Sequence, residues 1–509
     1  MSIRIALDNP PEFYTNLDFI SGRVILVLHR PETIGNVIVK LEGESHTALT
    51  VPSTGDRDDL YRGRIPGGGG VGDIITESHK ILYRLFQVYP DDGAALAFQP
   101  GTHEFKFNFK VPLNNICHDP KAMSALLGIG GLSGSGFRTM DGSKQLMLQH
   151  VKGTLPPSLT GFPQEAEIRY YIKVTIQRPG FFKENWRYQV GFKFLPVEPP
   201  RPAKTSQEAF ARRPFTFRPQ AALHQKKSSF FGSRSSTASP SSGAGGTPPS
   251  IEMSARLPFP SILTCNEPLP LRLIARKLAP TEQQHVYLTA LEIVLVGHTQ
   301  VRVHNLENTE RSTWILFSAP QLSPPIQLFN SPTDPVDAEF EIPKTLWKDR
   351  RLPNTVAPSF RTCNLARTYG LEIMLTLTWA PSSSPSSLKP NSPSITLPLK
   401  LSKVDVYSGI RPPQELLNSV STQNSRPPRL PNRPPQQPPR PGPGVNVQPP
   451  APDPLYPPQL GTVGATMYEE APPSYDEAMA DQLAGPAARP AYSGVTAENA
   501  PSTMPAEKS

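Results

Sequence analysis

Between residues 103 and 111 the side chains alternate without a break. Phe105, Phe107, Phe109 and Val111 fall on one side of an extended chain, and Glu104, Lys106, Asn108 and Lys110 on the other. Successive side chains of a strand point to opposite faces, so this pattern describes a strand with one buried and one solvated side. The same spacing places Ile168, Tyr170, Ile172, Val174 and Ile176 on one face, and Tyr188, Val190, Phe192 and Phe194 on one face of another strand. Earlier strands follow from Val24, Leu26 and Leu28, then Val37, Val39 and Leu41. One apolar face per strand is what antiparallel sheets with a wet outer side require, and a β-sandwich over residues 1–197 is the economical architecture. Two glycine-rich stretches, 52–78 and 114–150, read as long loops, the second opening with a short helix after Asp119-Pro120.

Strand patterns return over residues 251–408. Leu269, Leu271 and Leu273 form one such run and 286–296 another, then Ile373, Leu375 and Leu377 point inward, as do Ile395, Leu397, Leu399 and Leu401. A second sandwich is expected there. Between the two, residues 198–250 turn to Pro, Ser, Gly and basic residues, with eight Lys or Arg from Arg201 to Arg234 against the single acid Glu208. That stretch is expected to be a disordered basic linker, which could touch an anionic surface and allows peripheral membrane association. The chain has 63 prolines, of which 23 lie in residues 409–509 among few large apolar side chains. Such a segment buries too little surface to offset chain entropy, and it is expected to be a disordered proline-rich tail.

The tail carries a compact recognition element, Pro472-Pro473-Ser474-Tyr475, flanked by Glu469, Glu470, Asp476 and Glu477. Two adjacent prolines hold the backbone near polyproline II, and the tyrosine two positions on offers a ring and a hydroxyl to a second pocket, which is the ligand grammar of WW domains. Two neighbouring sequences depart from it. Tyr456 lacks the first proline because Asp453 stands there, and Tyr492 lacks it because Arg489 does; both are read as auxiliary WW contacts or as incidental tyrosines. Pro428, Pro431 and Arg433, and then Pro435, Pro438 and Arg440, fit the PxxPxR pattern of SH3 ligands, with a generic proline-rich spacer as the alternative.

Several motifs in order resemble the arrestin family, specifically the α-arrestins of fungi, over roughly residues 1–408 as two arrestin-like domains. Gly22-Arg23-Val24-Ile25-Leu26 with Val37-Ile38-Val39-Lys40-Leu41-Glu42-Gly43 is similar to the family's opening strand pair. Residues 99–112, from Gln99-Pro100-Gly101 to Lys110-Val111-Pro112, resemble its PGxHxFxFxFxxP strand, and Leu155-Pro156-Pro157-Ser158-Leu159 before Ile168-Arg169-Tyr170 its LPPS-to-IxY passage. The second domain rests on less: Leu257-Pro258, Pro268-Leu269-Pro270-Leu271 and the strand over 291–303. The resemblance implies an all-β chain of two tandem arrestin-like sandwiches that dock on a membrane transporter or receptor. Its tail would recruit a HECT-type ubiquitin ligase, with Pro472, Pro473 and Tyr475 as the contact, and ubiquitination would send the cargo into endocytosis. The alternative it allows is an arrestin-like signalling scaffold, for example in ambient-pH or nutrient sensing, acting through the sandwiches and the SH3-type motifs. Val190 stands where receptor-type arrestins place a phosphate-sensing arginine, which argues against a phosphate-triggered switch of their kind.

Other chemistry has little support. Residues 136–144 evoke a phosphate loop, but the spacing from Gly136 to Gly142 is one too long and Ser143 replaces the lysine. There is no GxSxG elbow and no HExxH, and His103 and His118 read as strand or loop histidines, so no enzyme, cofactor or metal is expected. Cys117, Cys265 and Cys363 are far apart and read as reduced, partly buried thiols. The net charge of +8 has its source in the basic stretch, whose lack of interleaved aromatic residues speaks against nucleic acid as a partner. With no run of about 18 apolar residues and no basic-then-apolar start, the chain is expected to be cytoplasmic, recruited to the plasma membrane or endosomes.

Overall fold

The computed structural model describes residues 1–51, 73–89, 96–116, 151–162, 165–180, 183–203, 205–217, 248–280, 284–329, 331, 334–381, 394–417, 482–486 and 489–490. The first ten strands are β1 (Ser2–Leu7), β2 (Phe19–Leu28), β3 (Glu32–Ile34), β4 (Asn36–Val51), β5 (Asp73–Tyr89), β6 (Leu96–Phe98), β7 (Gly101–Lys110), β8 (Leu159–Phe162), β9 (Ala166–Gln177) and β10 (Trp186–Phe192). They form a three-stranded sheet in the order β1-β2-β7 and a five-stranded sheet in the order β10-β9-β4-β5, with β8 against β9; β3 and β6 make a small ribbon. Every pairing in this sandwich is antiparallel.

The alternation read from the sequence is the packing. Val24, Leu26 and Leu28 of β2, Val37, Val39 and Leu41 of β4, Phe107 and Phe109 of β7, and Ile168, Tyr170, Ile172, Val174 and Ile176 of β9 are all buried in one core. Gly22 interrupts the apolar face of β2 for a steric reason. A Cβ there would stand 2.5 Å from the Ala6 carbonyl oxygen and 2.8 Å from the Phe107 ring, so only glycine lets β1 and β7 close on β2. The Tyr170 hydroxyl, fully buried, donates to the Pro156 carbonyl at 2.6 Å and so ties the LPPS passage to β9.

The second sandwich comprises β11 (Glu208–Thr216), β12 (Ser250–Pro258), β13 (Ile262–Thr264), β14 (Arg272–Lys277), β15 (Gln284–Val303), β16 (Leu306–Ala319), β17 (Ile326–Gln327), β18 (Glu339–Glu341), β19 (Phe360–Arg361), β20 (Leu365–Pro381) and β21 (Ser394–Tyr407). A four-stranded sheet, β11-β12-β14-β18, covers a seven-stranded one, β13-β21-β20-β15-β16, with β17 and β19 on β15 and β20. Its core holds Leu271, Leu273, Ile293, Leu295, Trp347, Ile373, Leu375, Leu377, Leu397 and Leu399. The all-β, two-sandwich class expected from the sequence is the observed fold.

Two boundaries need correction. Residues 198–250 are not linker throughout, because β11 adds to the edge of the second sandwich, pairing with β12 from Glu208↔Pro258 to Thr216↔Ser250. Its inward positions, Ala211, Phe215 and Phe217, pack on the core, but small alanines and Arg213 hide the alternation. Pro214 is tolerated because β11 is an edge strand. Likewise the expected loop over 52–78 ends earlier, since β5 begins at Asp73. The expected short helix after Asp119-Pro120 and the stretch around Gly136 lie outside the described residues.

Candidate functional site

The long strands β4 and β5 run beyond their own sandwich, and the character of their inward face changes on the way. Val37, Val39 and Leu41 fill the core; past the irregularity at Gly43/Glu44 the buried positions become Ser45 and Thr47, joined by Glu77 and His79 of β5. These four polar side chains, each 0% exposed, meet the second sandwich. Asn364, before β20, donates from Nδ2 to the Ser45 carbonyl and to Thr47 Oγ1, both at 3.1 Å, and accepts from Ser45 Oγ at 2.7 Å. Thr47 Oγ1 donates in turn to the Arg302 carbonyl at 2.7 Å. Buried polar groups left without partners would each cost several-fold more than the bonds gain, so this seam fixes one relative placement of the strand ends it joins.

Glu77 is the centre of charge. Its carboxylate accepts from His79 Nε2 at 2.6 Å, from Arg302 Nη2 at 3.0 Å and from the His304 amide. Arg302 also donates through Nε to the Cys363 carbonyl at 2.9 Å, and the Val151 amide donates to Cys363 Sγ at 3.2 Å. Burial works against charge on Glu77, but the hydrogen bonds from His79 and the His304 amide, with the Arg302 charge, outweigh it and hold the carboxyl below its usual range. Burial likewise opposes a proton on His79, yet Cys363 and Glu77 beside it raise the imidazole above its usual range. Apolar residues seal the seam: Val301, Ala357, Cys363 and Leu365 of the second sandwich belong to the core cluster of the first.

The covalent crossing between the sandwiches has bonds of its own. The amides of Tyr14 and Leu195 bond the carbonyls of Lys193 and Tyr14, at 2.8 and 2.9 Å, and the Glu198 amide bonds the Ile410 carbonyl at 2.8 Å. Asn16, fully buried, accepts from the Val197 amide at 2.9 Å while donating to the Pro112 and Leu113 carbonyls. Phe13, Leu195, Val197 and Ile410 make a separate small apolar cluster around it.

A second charged cluster sits on the outer face of the β4-β5-β9 surface. Lys80 donates to Glu42 and Glu44 and, at 3.0 Å, to the Tyr171 hydroxyl, whose single proton lies between the two carboxylates, each 2.8 Å from the hydroxyl oxygen. Burial pushes Glu44 toward neutrality, but Lys80 overrides it and holds the carboxyl at about 2. Among the described residues no group of three or more His, Cys, Asp or Glu is arranged to hold a metal, and no helix is long and apolar enough to cross a membrane.

The sequence-predicted contacts Pro472, Pro473 and Tyr475, the auxiliary Tyr456 and Tyr492, and the SH3-type Pro428, Pro431, Arg433, Pro435, Pro438 and Arg440 all lie outside the described residues. Val190 sits on β10 opposite Ile172, packed against the first core. Cys265 and Cys363 are both buried, and burial pushes the Cys265 thiol up to about 12; Cys117 lies outside the described residues. The polar seam was missed at the sequence level. Its one trace is that Ser45 and Thr47 continue the inward register of Val37, Val39 and Leu41.

Residues 3–118, which span β1 to β7, match the family model of the arrestin (or S-antigen) N-terminal domain. No curated protein matches the chain. The matched part of the first sandwich is thus similar to an arrestin N-terminal domain, which points only in general terms to an adaptor or scaffold role.

Proposed function

We propose that this chain is a non-enzymatic ubiquitin-ligase adaptor. The arrestin-like sandwiches bind a membrane cargo, a transporter or receptor, and Pro472, Pro473 and Tyr475 recruit a HECT-type ligase through its WW domains. The observation that carries the reading is the conjunction of a Pro-Pro-Ser-Tyr element within the proline-rich segment and an arrestin-type N-terminal domain in one chain. Polyproline recognition needs only a small groove and a preformed helix, so a short tail segment suffices for the ligase contact while the sandwiches supply a separate surface for cargo. Ubiquitination of the cargo would then follow from proximity alone, with effective concentration set by the tail joining the two binding sites. The tail's basic and proline-rich neighbours, including the two PxxPxR elements, would add SH3 partners to the same assembly. In cells, Tyr475→Ala is expected to abolish cargo ubiquitination while cargo capture by the chain is retained. Unchanged ubiquitination with the variant would remove the ligase-adaptor reading and leave a scaffold acting through the sandwiches.

A further inference from the structure

The turn between β1 and β2 contains a carboxylate that is buried without belonging to either sheet. Asp18 is 8% exposed, and its Oδ2 accepts from the Thr15 amide at 2.8 Å across the turn. Leu17 beside it holds φ at 69°, a backbone region that favours glycine, so the turn is kept in this shape by what surrounds it. A buried carboxylate needs a cation, and among the described residues Arg489, 471 positions away in sequence, supplies it. Arg489 Nη2 lies 2.7 Å from both oxygens of Asp18, its Nη1 donates to the Phe13 carbonyl at 2.6 Å, and its guanidinium stands 5.7 Å from the centre of the Phe13 ring. A second contact from the same segment is steric. Gly485 rests so closely on Asp18 that a Cβ would collide with Oδ1, with the Asp18 amide nitrogen at 3.3 Å.

We propose that residues 13–18 form a docking site for Gly485 and Arg489, in which Asp18 and the Phe13 carbonyl receive the Arg489 guanidinium and the glycine allows close backbone approach. The pieces of an arginine receptor are all present: an acid in a low-dielectric setting, a backbone carbonyl to take the remaining N–H group, and an aromatic face beside the planar cation. Burial raises the Asp18 carboxyl, with the Thr15 amide and Arg489 pulling the other way, as expected of a group whose charge depends on its partner.

The location gives the contact a consequence. The same turn supplies the Tyr14 bonds to Lys193 and Leu195 and the Asn16 bond to Val197, which hold the crossing between the sandwiches. Docked tail and crossing therefore share one turn. Residues 413–484, which include Pro472, Pro473 and Tyr475, are bounded in sequence on both sides by residues of the unit that holds the sandwiches. Any partner that takes the turn for itself must displace Arg489, and any event that frees Arg489 leaves Asp18 buried without its cation.

The test uses the full chain and no ligase, so its outcome is separate from that of the adaptor reading. Amide exchange at Thr15 is compared in the native protein and Arg489→Ala, a tail change that removes nothing from either core. Faster exchange at Thr15 in Arg489→Ala, by about ten-fold or more, is expected. A synthetic peptide covering residues 480–495 should bind full-length Arg489→Ala about ten-fold or more tighter than it binds the native chain, whose own tail occupies the site. It should fail to bind the double variant Asp18→Asn/Arg489→Ala, in which the substituted carboxamide oxygen can still accept from the Thr15 amide. Gly485→Val, which alters no charge, should open the site to the peptide as Arg489→Ala does. Equal exchange in native and Arg489→Ala protein, or peptide uptake indifferent to Asp18, would overturn the proposal.

Discussion

Replacing Glu77 by glutamine should weaken the seam between the sandwiches more than any surface charge change of the same size. The side chain keeps its shape, but its amide nitrogen cannot accept from the three donors that now converge on it, His79 Nε2, Arg302 Nη2 and the His304 amide. One donor at least must be left facing another. Breaking a buried ion pair from one side costs about 3–5 kcal/mol, and Arg302, at 17% side-chain exposure, can recover part of that from water, so a loss of about 2–3 kcal/mol is expected. Arg302→Gln leaves Glu77 with His79 and the His304 amide and should cost less, about 1–2 kcal/mol. Because the two act on one network, their effects should not add, and a double-mutant cycle by calorimetric unfolding should return a coupling of about 1–2 kcal/mol. For a unit of this size each kcal/mol moves Tm by about 1–2 °C, so Glu77→Gln alone should lower Tm by about 2–6 °C. Single effects that sum to the double within about 0.5 kcal/mol would refute the reasoning, because Glu77 and Arg302 would then be bystanders to each other.

The pH dependence of unfolding follows from the same groups. His79 is raised, so its contribution is complete below about 6.5 and is lost as pH rises through its folded value; Glu77 is lowered, so its contribution is lost as pH falls below the usual carboxylate range. Tm should therefore be highest at mildly acidic pH and decline on the alkaline side, and His79→Gln should flatten that alkaline decline in a scanning series. Tyr170→Phe removes the buried bond to the Pro156 carbonyl and should cost about 1–2 kcal/mol in denaturant unfolding, with no change in slope. Gly22→Ala drives a methyl into the Ala6 carbonyl and the Phe107 ring and should cost about 1–3 kcal/mol by the same assay.

Much of this architecture was written in the alternation of the chain. Where a strand buries one face and wets the other, as β7 and β9 do, the apolar set and the core coincide residue for residue. β5 escaped because irregular pairing to β4 near Gly43 leaves Ile81 and Leu82 both buried and Leu85 and Phe86 both exposed, so its apolar residues do not alternate. β11 escaped because the exposed Arg213 breaks the inward run of Ala211, Phe215 and Phe217, and the alanines give little apolar contrast. The polar seam was hidden for a different reason: alternation marks a polar face as solvated, and Ser45, Thr47, Glu77 and His79 are polar residues buried by a second sandwich hundreds of positions away. Arg489 read as the residue that spoils a second Pro-Pro-x-Tyr element, and nothing local to it announces a partner at Asp18. Long-range contacts between single side chains leave no period in a sequence, whereas sheets do.

The adaptor reading is tested most directly by titrating the full chain, native and Tyr475→Ala, with the WW domains of a HECT-type ligase in a calorimeter. Micromolar binding by the native chain that is lost in the variant is the predicted result. Equal binding by both, or binding by neither, would contradict it.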